Sequence, residues 1–323
     1  MKAIQIRQHG GPEVLEVVDA ELREPGANEA VVKIAAAGVN FIEVYHRTGL
    51  YPVQLPFTPG QEAAGVVERV GENVKNFNTG DRVAYAGVLG GSYAECNVVP
   101  AARLVAVPED VSLKHAAAVM LQGMTAHYLT HTTYPLRAGQ VCVVHAAAGG
   151  VGLLLCQMAK LAGATVIGTT STAAKAELAK DAGADYVILY TNQNVAERVR
   201  AITDGRGADV VYDSVGKTTF QASLDSLRQR GMLVSFGQSS GPIGPVDPLL
   251  FSKKGSLFFT RPTLAHYTAD RAELELRAGQ LFQWLKAGQL RVRIDREYEL
   301  DRAGDAHRAL EARATAGKVL LVP

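Results

Sequence analysis

The stretch that constrains this chain most is residues 141–163, VCVVHAAAGGVGLLLCQMAKLAG. Val141, Cys142, Val143 and Val144 make a short apolar, mostly β-branched run, the composition of a strand buried on both faces. Beyond Gly152, the apolar residues Leu154, Leu155, Met158, Ala159 and Leu161 recur at helical spacing. Strand and helix meet at Ala147-Ala148-Gly149-Gly150-Val151-Gly152, which is the pattern GxGxxG with its first glycine replaced by Ala147. Gly149 stands where backbone must approach a pyrophosphate, and Gly152 where the helix must pack closely on the strand. Gly150 and Val151 then open the helix, whose bare amides face the phosphates of a dinucleotide.

The surroundings agree with a nucleotide fold. From residue 139 onward strands and helices alternate: VCVVHA, the first helix, TVIGTT, AAKAELAKDAG, YVILYT, NVAERVRAITD, ADVVYDSVG, TFQASLDSLRQRG, MLVSFGQSS and GSLFFTRPTL. Units of this length predict a doubly wound parallel sheet with helices on both faces, an α/β architecture. The first 120 residues read differently, as short β-branched runs around residues 3–7, 14–18, 30–35, 65–70, 82–86, 93–99 and 103–107. Between the third and fourth of these runs lies GVNFIEVYHRTGLYP, followed by LPFTPGQEAAG, a short helix and a proline-rich loop dense in polar and aromatic side chains. SLKHAAAVMLQGMTAHYLTH then reads as a helix with Ser112 as N-cap and Gly123 as an interruption. The final residues carry an amphipathic helix over 271–286 and a last strand over 318–322. They do not continue the alternation, so the expected domains are 1–123 completed by 266–323, and 124–265.

The end of the second parallel strand bears on the choice of dinucleotide. Folds that select NAD place an acid about 20 residues past the glycine loop, where it accepts from the ribose 2′-hydroxyl. Here that strand ends in Thr169-Thr170-Ser171-Thr172 with no acid, and Lys175 follows early in the next helix. Hydroxyls and an ammonium there suit a 2′-phosphate. The alternative is that Thr170 or Ser171 caps the helix while Lys175 is a solvated surface residue.

Composition excludes other classes. A net charge of +1 with no long basic run predicts no nucleic-acid partner and no anionic membrane surface. No apolar run approaches the roughly 20 residues of a membrane helix, and the first residues lack a signal-peptide core, so a cytoplasmic chain is expected. Cys96, Cys142 and Cys156 are scattered in apolar surroundings and are expected to be reduced and packed. His145, at the end of the central strand, is read as hydrogen-bonded locally.

Taken together, HGGPEVLEV, AAGVNFIEVYHRTGLYP, TPGQEAAGVVERVG, GDRVAY, HAAAGGVGLLLCQMAKLAGATVIGT, VYDSVG, SFGQSSGP and KGSLFFTRPTL span the whole chain. In these motifs it resembles the zinc-free quinone reductases of the medium-chain dehydrogenase/reductase superfamily. The resemblance implies a β-rich, GroES-like catalytic domain, a Rossmann domain, NADPH as hydride donor and the nicotinamide in the cleft between the domains. It also implies that Gly168, Tyr190, Ser214, Phe236, Gly237 and Ser239 line the cofactor, with Tyr190 against the 2′-phosphate. Asn40, Tyr45, Tyr51 and Gln61 are implied around the substrate. For these four the bland alternative stays open: Asn40 and Gln61 fix loops, and Tyr45 and Tyr51 pack with wet hydroxyls.

In the zinc-dependent relatives a histidine ligand aligns with Gln61 and a cysteine ligand with Asn40, so the resemblance implies no metal here. Glu62 alone cannot hold zinc, and Cys96 alone cannot form a four-cysteine lobe. Quinone reduction is the expected activity, by positioning and not by Lewis acid, with reduction of activated carbon–carbon double bonds (enals, enones) or a nucleotide- or RNA-binding role without turnover as alternatives. The apolar strand over residues 255–260 would expose an unpaired edge at the end of the parallel sheet, and a homodimer pairing it with its copy is expected.

Overall fold

Residues 1–323 are all described by the computed structural model, and they divide into two compact units, Met1–Met124 with Tyr267–Pro323, and Thr125–His266. The first part of the chain forms β1 (Lys2–Gln5), β2 (Glu16–Asp19), β3 (Glu29–Val39), α1 (Phe41–Arg47), β4 (Glu62–Val70), β5 (Arg82–Ala86), β6 (Cys96–Pro100), β7 (Val105–Ala106) and α2 (Leu113–Tyr128). There follow β8 (Val141–Val144), α3 (Gly150–Leu161), β9 (Thr165–Thr170), α4 (Ala173–Asp181), β10 (Tyr186–Leu189), α5 (Val195–Ile202), β11 (Ala208–Asp213), α6 (Phe220–Ser226), β12 (Leu227–Ser235), α7 (Leu249–Lys253) and β13 (Phe258–Thr260). The chain ends with α8 (Leu264–Tyr267), α9 (Arg271–Lys286), β14 (Ile294–Glu299), α10 (Ala303–Glu311) and β15 (Lys318–Val322).

In the second unit the sheet runs β10-β9-β8-β11-β12-β13, every pair parallel. Numbered within the sheet this is the order 3-2-1-4-5-6 of a dinucleotide fold, with its switch point between β8 and β11. Val143, Ile167, Ile188, Val211 and Leu233 make its buried core, one apolar layer contributed by five adjacent strands. In the first unit a seven-stranded sheet follows the path β14-β15-β3-β4-β5-β7 with β6 paired to β3, and β1 pairs with β2 separately. Ile4, Val32, Val67, Val83, Tyr85 and Leu321 are among its core residues. The last strand, β15, lies antiparallel to β3, with Val319 opposite Val39.

Several expectations needed correction. Gly123 does not interrupt α2: a Cβ there would come within 2.8–3.1 Å of Val119 and Leu281, so the glycine admits the close approach of α9. Residues 227–229 are strand, not helix, with Leu227 buried in the core against β11, and Arg230, left-handed at φ 56°, lies where the register with β11 shifts. The final parallel strand is shorter than residues 255–260, since Gly255 and Ser256 take φ of 108° and 56°. Ser112 does cap α2, its Oγ accepting the His115 N–H at 3.2 Å.

Candidate functional site

The residues expected at the cofactor gather around the loops at the carboxyl ends of the parallel strands. After β8 the backbone turns sharply, with Ala146 at φ 51° and the Gly149 N–H bonded to its carbonyl at 2.8 Å. Ala147 N–H donates to the Thr169 carbonyl at 3.0 Å, which ties the loop to the end of β9. Gly149 is the N-cap of α3 and no side chain caps the helix, so its first amides are left for an anion. A Cβ on Gly152 would fall 2.8 Å from the backbone of Ala147 and closer still to the Ala146 carbonyl oxygen, and one on Gly168 would meet the Ala147 methyl at 2.9 Å. These two glycines let helix, loop and β9 close up, while at Gly149 a Cβ meets only the Ala146 oxygen, at 3.1 Å.

At the end of β9, Ser171 is half-buried and Thr172 caps α4, its Oγ1 accepting the Lys175 N–H at 3.3 Å. The alternative that Thr170 or Ser171 caps this helix is not met, because Thr172 is the cap. Tyr190 follows β10, its N–H bonded to the Thr170 carbonyl at 3.2 Å, and it is 40% exposed. No carboxylate occurs from Thr165 through Ala176, which fits a 2′-phosphate. Thr169, by contrast, is 1% exposed and turns its hydroxyl inward to His145 Nδ1 at 3.0 Å, so, against expectation, it does not offer that hydroxyl to a 2′-phosphate. The loops after β11 and β12 also meet: Ser239 N–H donates to the Ser214 carbonyl at 3.2 Å, Phe236 N–H to that of Asp213 at 2.8 Å, and a Cβ on Gly237 would strike Ser214. The residues expected at the cofactor, from Ala147 to Ser239, thus lie at five adjacent strand ends, in the loops that leave them or in the first turns of α3 and α4.

The substrate half was expected at α1 and the start of β4, and here the structure shows a buried polar cluster that the sequence did not announce. Asn40, the N-cap of α1, is 6% exposed and forms a capping box with Glu43, whose Oε2 accepts the Asn40 N–H at 2.7 Å. Asn40 Nδ2 donates to Glu62 Oε1 at 2.8 Å, while Asn40 Oδ1 accepts from Gln122 Nε2 at 3.2 Å and Lys318 Nζ at 2.9 Å. Lys318 also pairs with Glu62, both fully buried, and Glu62 Oε2 accepts the Leu121 N–H at 2.6 Å. Glu43 accepts the Gln61 N–H at 3.1 Å, and burial pushes its carboxyl up to about 8, with Lys318 opposing. Asn40 is therefore saturated internally. Tyr45 is 8% exposed and sets its ring edge-on to Tyr51 at 5.1 Å, while Tyr51 and Gln61 are half-buried.

Arg47 anchors the far end of α1, donating to Glu311 at 2.8 and 2.9 Å and contacting His307, whose other nitrogen meets the Tyr93 hydroxyl at 3.1 Å. Burial and the Arg47 charge push His307 down to about 3, so the ring is neutral. Sequence reasoning missed Glu43, Gln122, Lys318 and His307. One signal was present for Lys318: a lone lysine opening the apolar run KVLLV. No three His, Cys, Asp or Glu side chains converge to hold a metal ion, and the Glu62 carboxylate is taken by Asn40, Leu121 and Lys318.

This pairing of a β-rich unit with a dinucleotide fold defines a medium-chain dehydrogenase/reductase. Residues 26–109 match the alcohol dehydrogenase GroES-like domain and residues 150–270 the zinc-binding dehydrogenase domain. A quinone oxidoreductase of Pseudomonas aeruginosa is 48% identical over 100% of this chain and 99% of its own. The crystal structure of Escherichia coli quinone oxidoreductase complexed with NADPH superposes with a TM-score of 0.99 at 44% identity, covering 100% of both chains. That of the Pseudomonas syringae pv. tomato quinone oxidoreductase gives 0.98 at 47%, over 100% of this chain and 99% of the other. The chain belongs to the quinone oxidoreductase family.

Proposed function

We propose that this chain is an NADPH-dependent quinone reductase that works without a metal. The observation that carries the reading is the carboxylate-free end of β9 beside an uncapped, glycine-lined phosphate loop. NADPH supplies the hydride. The amides of Gly150, Val151 and Gly152 hold the pyrophosphate, Ser171, Lys175 and Tyr190 take the 2′-phosphate, and Ser214, Phe236, Gly237 and Ser239 shape the remaining length. Tyr45, Tyr51 and Gln61 face the quinone, and Asn40 positions them through the N-terminus of α1.

The reading is tested by NADPH oxidation with a panel of quinones and enones, where quinones should give the higher kcat/KM; faster enone turnover, or none with either, refutes it. In the same assay Tyr45→Phe should lower kcat about tenfold, the size of one hydrogen bond strengthened in the transition state. Unchanged kinetics would remove Tyr45 from the site. Lys175→Ala should weaken NADPH roughly ten- to a hundredfold, because a hydrogen bond to a charged group contributes about 1.5–3 kcal/mol, and leave NADH nearly unchanged. Equal losses for both cofactors would contradict the pocket.

The enzyme is further proposed to act in the cytoplasm as a homodimer, without nucleic acid. Supporting the dimer, β13 is the edge of the parallel sheet, with Phe258 56% and Phe259 40% exposed, and pairing with a second copy would cover that edge. Light scattering should give twice the 34.4 kDa chain mass at micromolar concentration; the monomer mass would dispose of the dimer.

A further inference from the structure

A buried line of hydrogen bonds crosses the second unit beneath the cofactor loops, and the hydride transfer described above makes no use of it. Its members are Thr169 on β9, His145 just past β8, Ser223 on α6 and Asp213 at the end of β11, none more than 2% exposed. Ser223 Oγ lies 2.7 Å from Asp213 Oδ2, His145 Nε2 lies 3.1 Å from Ser223 Oγ, and His145 Nδ1 lies 3.0 Å from Thr169 Oγ1.

Elementary chemistry sets the direction of each bond. Burial works against ionisation of Asp213, but hydrogen bonds from Gly216, Thr219 and Ser223 hold its pKa below the usual value, so it is a carboxylate and only accepts. The one hydroxyl proton of Ser223 is thereby spent on Asp213. Toward the ring Ser223 offers a lone pair, so His145 Nε2 must carry a proton. Burial disfavours the imidazolium, which leaves Nδ1 bare to accept the hydroxyl proton of Thr169.

Both ends of this line hold segments that face the cofactor. Thr169 is pinned to the phosphate loop through its carbonyl, which accepts the Ala147 N–H. The other oxygen of Asp213 accepts the Val215 N–H at 2.7 Å and the Gly216 N–H at 3.0 Å, so it shapes the loop that begins at Ser214. We infer that His145, neutral and protonated at Nε2, is a positioning residue that locks the end of β9 to the β11–α6 loop, so that the two grip one cofactor in register. This inference rests on the NADPH reading above. Preorganisation of this kind favours a ligand long enough to touch both segments and does little for one that touches a single segment.

The direction of the protons can be read in the wild-type protein without cofactor. In nitrogen-15 spectra of the histidine side chains, the signal that His145→Leu removes should be a neutral Nε2–H ring that does not titrate between pH 8 and pH 5, as His307 also should be, and Ser223→Ala should abolish the fixed tautomer of the His145 signal alone. An Nδ1–H tautomer, or a ring that protonates near pH 6, overturns the assignment. For positioning, His145→Leu should weaken NADPH about tenfold, within the usual range of coupling between sites, while changing 2′,5′-ADP less than about threefold. His145→Gln, which keeps an acceptor and a donor, should recover part of the loss. Equal weakening of NADPH and 2′,5′-ADP would show a merely structural histidine and overturn the inference. Should the wild type fail to bind NADPH at all, the proposed function falls while the spectra still decide the direction of the line.

Discussion

Replacing Lys318 by methionine should lower the folding stability of the protein by about 3–5 kcal/mol, the cost of leaving a buried charge without its partner. The ammonium is 1% exposed and Glu62 is 0% exposed, so water cannot take over from the missing cation. Asn40 Oδ1 loses a donor at the same time and keeps only Gln122. The double variant Lys318→Met/Glu62→Gln removes both charges and should regain most of the loss, because no unpaired charge is left buried and the single oxygen of the new amide can still accept from Leu121. Guanidinium unfolding of the wild type and the two variants measures both effects. A single variant within about 1 kcal/mol of wild type would mean that the buried pair does not hold this cluster together.

Gly152→Val should reduce NADPH affinity at least about a hundredfold, equivalent to roughly 3 kcal/mol. Even the first carbon of a side chain would overlap the Ala146 carbonyl and the Ala147 backbone, and backbone cannot rotate away as a side-chain tip can. To admit valine, α3 must move off β8, which carries its amides away from the phosphates. At Gly149 a Cβ meets one protein oxygen, at 3.1 Å, so Gly149→Ala obstructs the pyrophosphate with little strain on the fold, whereas Gly152→Val should also lower the unfolding midpoint. Titration of each variant with NADPH by fluorescence, beside thermal unfolding, decides the point, and an unchanged midpoint for Gly152→Val would show that the clash is not what matters at residue 152.

How much of this was legible beforehand depends on the distance over which each feature is written. The phosphate loop is continuous in the chain, so Ala147, Gly149 and Gly152 could be assigned from their neighbours alone. The doubly wound sheet was equally plain, because each strand–helix unit carries its own change of hydrophobic period. Gly123 was misread because its partner, Leu281, lies on α9, far along the chain, and local propensity contains no sign of it. The same holds for the polar cluster under α1. Asn40 and Glu62 are 22 residues apart, but Lys318 is 256 residues beyond Glu62, and nothing near Asn40 says that its amide is already spoken for. Thr169 shows a further limit: a threonine at a strand end can point outward to a ligand or inward to a histidine, and only the fold decides.

The pairing of β15 with β3 also orders events in time. Residues Met1–Met124 leave the ribosome before Thr125–His266, yet their sheet lacks β14 and β15 and their cluster lacks Lys318 until the last segment is made. The inserted unit has all six of its strands by residue 260 and can complete its sheet first. Through most of synthesis Glu62 is a carboxylate awaiting its counter-ion, and β3 offers Ala37, Gly38 and Val39 as an open edge. Closure of the older unit by β15 therefore waits until after the inserted unit is made, and the interval before it is when the nascent chain depends most on being shielded from its neighbours.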